Sequence, residues 1–140
     1  MLGTIREVVK LRKVLLPLKD KVDAKEIVAA LSQLEGGSEL TILHVVKVPI
    51  TTPLDVEVNT PDWLKELAQE LRSMGIPTKV IVAEARDVAD AIVEEAEEGK
   101  YDLIIMFKRR KKGLGKVVGR SISERVAKAT RRPVMTILRE

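Results

Sequence analysis

The feature that most constrains the fold is a regular alternation, from Lys13 onward, between short apolar runs and segments whose apolar residues recur at helical spacing. The apolar runs are 14–16, 40–46, 79–83, 103–106 and 134–138, and the amphipathic segments between them are 24–34, 64–71, 88–96 and 122–129. Such alternation is typical of repeated βαβ units, whose crossovers are nearly always right-handed. The pattern therefore predicts an α/β fold with an open, doubly wound, five-stranded parallel sheet.

Composition supports a sheet that is covered by helices on both faces. The chain has 140 residues, a common size for one domain, and only 2% of them are aromatic, so aliphatic side chains must fill the core. We expect one domain over residues 13–140. Residues 1–12 lie outside the alternation, and the helical spacing of Ile5, Val8 and Val9 predicts a short amphipathic N-terminal arm.

The sequence excludes several kinds of site. It contains no cysteine, which rules out disulfides and thiol nucleophiles, and its only histidine, His44, rules out a two-histidine metal site. No apolar run approaches the roughly 20 residues of a membrane span, and the N-terminus lacks the apolar core of a signal peptide. We therefore expect a cytoplasmic protein. The net charge of +4 is a modest excess.

Local signals predict where the helices begin. Thr60 is expected to cap the second helix with Pro61 as its first residue, and Asp87 is expected to cap the third. Ser121 and Glu124 have the S-x-x-E spacing of a capping box at the start of the fourth helix. The residues of that helix expected to face the core are Ile122, Val126 and Ala129.

Five consecutive cations, residues 108–112, follow the fourth predicted strand. Ligands bind at the carboxyl ends of strands in open α/β sheets, so Arg110, Arg120 and the amides near Ser121 could bind a phosphate. The alternative is a solvated basic loop without a partner, which is the more common meaning of an isolated run of charge. Nucleic acid is an unlikely partner because no aromatic residue lies nearby to stack on bases. His44, on an apolar strand, is expected to be a packed, hydrogen-bonded residue.

The segment from Tyr101 to Pro133 resembles the universal stress protein family. Residues 102–106 match a family strand of the type D-L-I-x-M, residues 121–126 match the helix that follows the family's glycine loop, and Pro133-Val134 matches its last strand. The resemblance covers residues 13–138. It implies a sheet of order 3-2-1-4-5 in a three-layer sandwich of the adenine nucleotide alpha hydrolase type, with two helices on each face.

The glycine loop departs from the family pattern G-x2-G-x9-G-[ST]. Its three glycine positions are occupied by Phe107, Arg110 and Arg120, whereas its last position is kept as Ser121 and Gly113 fits a common variant of the loop. In members that bind nucleotides, these glycines allow backbone amides to close around the phosphates. Side chains at these positions should obstruct that contact.

Two further positions bear on nucleotide binding by resemblance. Lys19 occupies the place of an aspartate that family members usually carry after the first strand. An aspartate can accept a hydrogen bond from ribose or help to hold a metal, whereas a lysine can do neither. Val45 matches a position beside the adenine and is unchanged.

The resemblance therefore implies a non-enzymatic stress-response or regulatory protein that does not bind ATP in the usual way, with no catalytic residue, metal or cofactor. Two alternatives stay open: a module that binds AMP, ATP or another anion through its arginines, and an interaction domain for a membrane transporter or other partner. The last strand is an apolar edge, so we expect a homodimer through it. Its residues are Val134, Met135, Thr136, Ile137 and Leu138.

Overall fold

A computed structural model describes residues 11–51, 53, 58–109 and 121–139 of the chain. Helices and strands alternate along them as predicted. The strands are β1 (Arg12–Pro17), β2 (Ser38–Lys47), β3 (Thr78–Ala85), β4 (Leu103–Arg109) and β5 (Val134–Arg139), and the helices are α1 (Ala24–Leu31), α2 (Asp62–Ser73), α3 (Val88–Glu98) and α4 (Ile122–Ala129). Residues 1–10 of the expected arm lie outside the described ranges, and Arg12 already belongs to β1.

The five strands form one parallel sheet in the order β3-β2-β1-β4-β5, which confirms the predicted topology. The central strand β1 pairs with β2 from Arg12 opposite Ser38 to Pro17 opposite Leu43. Because every strand runs the same way, all five carboxyl ends lie along one edge of the sheet. The order also makes β5 an edge strand, as expected.

Each face of the sheet is covered by two helices, which confirms the three-layer arrangement. Helices α1 and α2 enclose one apolar core, and α3 and α4 enclose the other. The side chains of β1 alternate between them: Val14 and Leu16 enter the first core and Leu15 the second, and none of the three is exposed to solvent. This two-sided burial is why the central strands are continuously apolar.

Most of the predicted helix starts are confirmed. Asp87 accepts a hydrogen bond from the backbone amide of Asp90 at 2.9 Å, and Ser121 accepts one from the amide of Glu124 at 3.2 Å. The prediction for α2 was wrong by one residue, because Pro61 occupies the capping position and the helix begins at Asp62. Pro61 has no side-chain donor or acceptor, so this helix start lacks a side-chain cap.

The predicted inner face of α4 was wrong in part. Val126 is fully buried, but Ile122 is 40% exposed and Ala129 is also exposed. The second buried residue of this helix is Ser123, which hydrogen-bonds to the hydroxyl of Ser121 at 3.0 Å. The buried stripe therefore runs through positions 123 and 126, and Ile122 is turned away from the core.

The helices in the described part of the chain include none that is long and apolar enough to cross a bilayer.

Candidate functional site

A cavity of about 550 Å³ lies at the carboxyl edge of the sheet, above the ends of β1, β2 and β4. We call it the carboxyl-edge cavity. Its lining from the strands and the turn after β1 consists of Pro17, Leu18, Lys19, Leu43, Val45, Lys47, Met106, Phe107, Lys108 and Arg109, and its lining from the helical layer consists of Val88, Ile92, Ser121, Ile122 and Ser123. The cavity lies where ligands bind in open α/β sheets, and its size is typical of sites for small molecules.

The structure brings to this cavity four of the residues that the family resemblance singled out. They come from the turn after β1, from β2, from β4 and from the start of α4, and they are Lys19, Val45, Phe107 and Ser121. Phe107 is partly buried and also packs against the core beneath α1 and α2. An aromatic side chain therefore lies at the position of the first motif glycine.

The remaining predicted site residues in the loop, Arg110, Gly113 and Arg120, lie outside the described residues. Their contribution to an anion site stays a prediction.

The cavity is surrounded by cations from three strands. Lys19 follows β1, Lys47 ends β2, and Lys108 and Arg109 end β4. Lys108 is paired with Glu124 of α4 at 3.2 Å. Lys19, Lys47 and Arg109 make no salt bridge to any other described residue, and no carboxylate is among the described lining residues. The site is therefore electropositive, with three cations available to a ligand.

The start of α4, which forms one side of the cavity, is fixed by contacts at neighbouring residues. The Ser121 hydroxyl caps the helix, as the capping box predicts. The carboxylate of Glu124, which would complete the box, instead accepts a hydrogen bond from Lys108. Ser121 thus caps the helix, whereas Glu124 connects α4 to the end of β4.

Asp87 and Arg125 link the starts of α3 and α4. Arg125 Nη2 donates to both carboxylate oxygens of Asp87, at 3.0 and 2.9 Å. The amide of Asp90 and the Arg125 guanidinium both stabilise the charged carboxylate, so the pKa of Asp87 lies below its ordinary value. This pair holds together the two helices that contribute Val88 and Ile122 to the cavity.

His44 is a packed residue, as predicted. Its Nδ1 donates to the carbonyl oxygen of Leu18 at 2.8 Å, and its ring meets Trp63 edge-on at 5.5 Å between centroids. The acceptor is a carbonyl oxygen, so Nδ1 carries the proton. His44 thus connects β2 and α2 to the turn that carries Lys19.

Sequence reasoning missed Lys47 and the pair of Asp87 with Arg125. Lys47 could have been found as the cation that ends a strand at the binding edge. The ion pair joins residues 38 positions apart, and no local pattern indicates it. Among the described residues, no group of three histidine, aspartate or glutamate side chains could hold a metal ion.

Solved structures with the same fold include several universal stress proteins. The protein from Archaeoglobus fulgidus matches with a TM-score of 0.65 and 19% identity over 89% of this chain and 92% of that one. Its complex with dAMP gives 0.62 and 16% over 92% and 98%, and the Arabidopsis thaliana protein with AMP bound gives 0.61 and 17% over 92% of both chains. At these levels of sequence identity, the structural similarity shows that the fold is shared.

No curated protein shows significant sequence similarity to the chain. The model of the universal stress protein family, however, matches residues 10–137, which span all nine helices and strands of the sandwich except the last two residues of β5. With the sheet order and the strand-edge cavity in agreement, the chain belongs to the universal stress protein family.

Proposed function

We propose that this chain is a non-enzymatic, cytoplasmic regulatory protein of the stress-response type, and that it does not bind ATP in the usual way. The observation that carries the proposal is the position of Phe107. Phe107 lines the carboxyl-edge cavity where the family motif has a glycine, and its side chain packs against the core beneath α1 and α2. A glycine there would leave the backbone free to bring its amide to a phosphate, whereas Phe107 is held in β4 by its packed side chain.

Lys19 supports the same conclusion. It lines the cavity at the place of the family's aspartate, and an ammonium group is a donor only. The hydroxyls of a ribose would find no carboxylate acceptor among the described lining residues. Relatives crystallised with dAMP and AMP have the same fold, so the proposed difference lies in these side chains and not in the architecture.

The absence of catalysis is proposed from how the two candidate groups are used. The Ser121 hydroxyl accepts the helix-capping hydrogen bond, and the Nδ1 of His44 donates to a backbone carbonyl. Neither residue contacts the other, so the arrangement lacks the paired nucleophile and base of a hydrolytic site. We expect ATP hydrolysis at the rate of a protein-free control.

Calorimetric titration of the wild-type protein with MgATP and with AMP tests the proposal. We expect no heat of binding at ligand concentrations up to about 1 mM, since such a limit corresponds to less than about 4 kcal/mol of binding free energy. Micromolar affinity for either nucleotide would refute the proposal.

The protein is also proposed to act as a homodimer that pairs through β5. This strand is bonded to β4 on one side only, and Leu138 on it is 54% exposed. An apolar edge strand offers unpaired backbone groups to a second copy. A two-fold axis between the copies would pair the β5 strand of one with the β5 strand of the other and satisfy the hydrogen bonds of both.

The second candidate function, anion binding, is favoured by a separate observation. Lys19, Lys47 and Arg109 surround the cavity without a carboxylate partner among the described residues. A site of this kind attracts anions of several types.

A further inference from the structure

We infer that the carboxyl-edge cavity binds an amphipathic organic anion, with an apolar body inside the cavity and one carboxylate or similar group at its cationic rim. This inference rests on the proposed loss of the usual nucleotide. It concerns the same cavity, but it assigns a ligand class that differs from a nucleotide in having no sugar and no polyphosphate.

The walls of the cavity are mostly aliphatic or aromatic. Leu18, Leu43, Ile92 and Met106 form its inner part and are at most 5% exposed. The more exposed apolar lining residues are Val45, Val88, Phe107 and Ile122. An interior of this type gains free energy by burying apolar surface and offers few partners to ribose or phosphate oxygens.

Ile122 gives a reason to expect an apolar ligand body at this place. It is a large apolar residue at the first position of α4, yet it is 40% exposed and lines the cavity. An apolar ligand would cover its side chain, whereas an empty cavity leaves it in contact with water.

The rim of the cavity is chemically different from its walls. Lys47 and Arg109 are the last residues of their strands, and Lys19 lies in the turn two residues beyond β1. All three side chains are exposed, so they face the solvent end of the site. The cations at the rim and the apolar walls below together complement a molecule with an anionic head and an apolar body.

The described rim cations complement an anionic head. Lys108 is already compensated by Glu124, which leaves Lys19, Lys47 and Arg109 as the cations of the described rim that make no salt bridge to another described residue. Long, exposed lysines can converge on a carboxylate without a preformed geometry, whereas a nucleotide needs aligned amides and ribose acceptors. A fatty acid of about ten carbons fits both the chemistry and the size class of the cavity.

Decanoate is the probe, decylammonium has the same alkyl chain with the opposite charge, and MgATP is the nucleotide control. Each is titrated into the full chain below its micelle concentration, by calorimetry. We expect decanoate to bind at least about tenfold more tightly than decylammonium, because the rim contributes charge complementarity that only the carboxylate can use. Equal affinities, or no decanoate binding, would overturn the inference.

Two charge-reversal variants locate the site. Lys19→Glu with Lys47→Glu removes two rim cations, and Lys79→Glu with Lys128→Glu changes two exposed lysines near the opposite edge of the sheet. Each reversal removes two units of charge, so both double variants lower the formal net charge from +4 by the same four units. We expect the rim variant to weaken decanoate binding by about tenfold or more and the control variant to leave it within about twofold.

Val45→Trp tests the walls. The larger side chain fills part of the cavity without changing the rim, so we expect decanoate binding to be lost while the variant still unfolds cooperatively on heating. Undiminished binding to Val45→Trp, or an equal loss in the rim and control variants, would overturn the inference. The MgATP titration separates the two proposals: nucleotide binding with micromolar affinity refutes the proposed function, whereas the absence of binding by both decanoate and MgATP refutes only this inference.

Discussion

At the scale of single residues, Asp87 combines two structural tasks in one carboxylate. It caps α3 and holds Arg125 of α4, and both contacts favour its charged form. The pKa of Asp87 is therefore lower in the folded protein than its ordinary value of 3.8. A carboxyl group whose folded pKa is lowered contributes stability above the unfolded pKa, and this contribution is lost as the pH falls through the folded pKa.

Asp87→Asn should therefore destabilise the protein in a pH-dependent way. Asparagine caps helices as well as aspartate does, so the variant keeps the cap and loses the charge that holds Arg125. We expect the urea midpoint of the variant to be lower than that of the wild type at pH 7, and the difference to shrink steadily below pH 3.8.

Asp20→Asn is the matched control, because Asp20 is exposed and has no salt bridge to another described residue. The urea midpoint of Asp20→Asn should equal that of the wild type at pH 7 and at pH 3. A constant difference between wild type and Asp87→Asn from pH 7 to pH 3 would show that the charge of Asp87 is not what stabilises the contact.

These contacts also show which residue-level features a sequence can predict. The caps at Asp87 and Ser121 follow from local spacing, because the acceptor and the amide lie three residues apart. The ion pair to Arg125 and the bond from Lys108 to Glu124 depend on how helices and strands meet in space. The capping-box motif therefore predicted the hydrogen bond of Ser121 correctly, whereas Glu124, its other residue, makes a tertiary contact with Lys108 instead.

At the scale of helices and strands, the end of α3 reverses the usual role of its glycine. Gly99 has φ of −78°, and the left-handed residue is Lys100, at φ of 52°. The amide of Lys100 donates to the carbonyl oxygen of Glu97, and that of Tyr101 to Ala96, which is the Schellman pattern. Gly99 is instead required by space, because an added Cβ would collide with the Tyr101 ring and lie 2.9 Å from the Glu95 carbonyl oxygen.

Two substitutions at this helix end should therefore act in opposite directions. Lys100→Gly should raise the free energy of unfolding by about 0.5–1 kcal/mol, because glycine adopts the left-handed conformation without strain. Gly99→Ala should lower it by about 1–3 kcal/mol through the contact with Tyr101. Urea unfolding of both variants measures the two effects.

Gly75 provides the control for these variants. It has φ of +87° at the end of α2 and nothing within 4 Å of an added Cβ, so Gly75→Ala should destabilise through backbone strain alone. If Lys100→Gly were destabilising and Gly99→Ala neutral, glycine would play its ordinary C-terminal role at α3, which would contradict the roles assigned to the two residues.

The edge strand β5 allows a direct test of the proposed dimer. Leu138→Lys places a charge on the exposed apolar edge, and charged residues on edge strands oppose pairing with another chain. We expect the dimer to dissociate at protein concentrations at least about tenfold higher than for the wild type, as measured by sedimentation velocity.

Ile50→Lys makes the same change at a residue that is 87% exposed and lies outside the sheet. It should leave the dimer unchanged. Equal sedimentation of the wild type and Leu138→Lys, both as dimers, would exclude β5 as the interface.

At the scale of the whole molecule, the sheet order and the edge that carries the cavity were predictable, and the full lining of the cavity was not. The order depends on alternation, right-handed crossovers and a resemblance that spans most of the chain, all of which leave marks in the sequence. The cavity depends on side chains from β1, β2, β4 and two helices that meet only after folding. The exposure of Ile122 in the cavity could not be predicted for that reason.

The same separation between architecture and lining gives the last prediction. If four side chains are the reason why this chain does not take ATP in the usual way, then replacing them should create nucleotide affinity without changing the fold. The variant combines Phe107→Gly, Arg110→Gly and Arg120→Gly with Lys19→Asp. We expect it to bind MgATP in calorimetric titrations, at least about tenfold more tightly than the wild type.

Phe107 makes this variant costly, because its ring also packs against the core beneath α1 and α2. Removal of such a side chain lowers the free energy of unfolding by up to about 3–5 kcal/mol, so a parallel variant has Phe107→Ala in place of Phe107→Gly and keeps a Cβ at that position.

Saturating MgATP should raise the melting temperature of either variant, because a ligand that binds only the folded state stabilises it. The variant with Arg110→Gly and Arg120→Gly alone is the control, and it should remain without nucleotide since Phe107 and Lys19 still occupy the site. A folded quadruple variant that ignores MgATP would mean that something other than these four side chains keeps the nucleotide out.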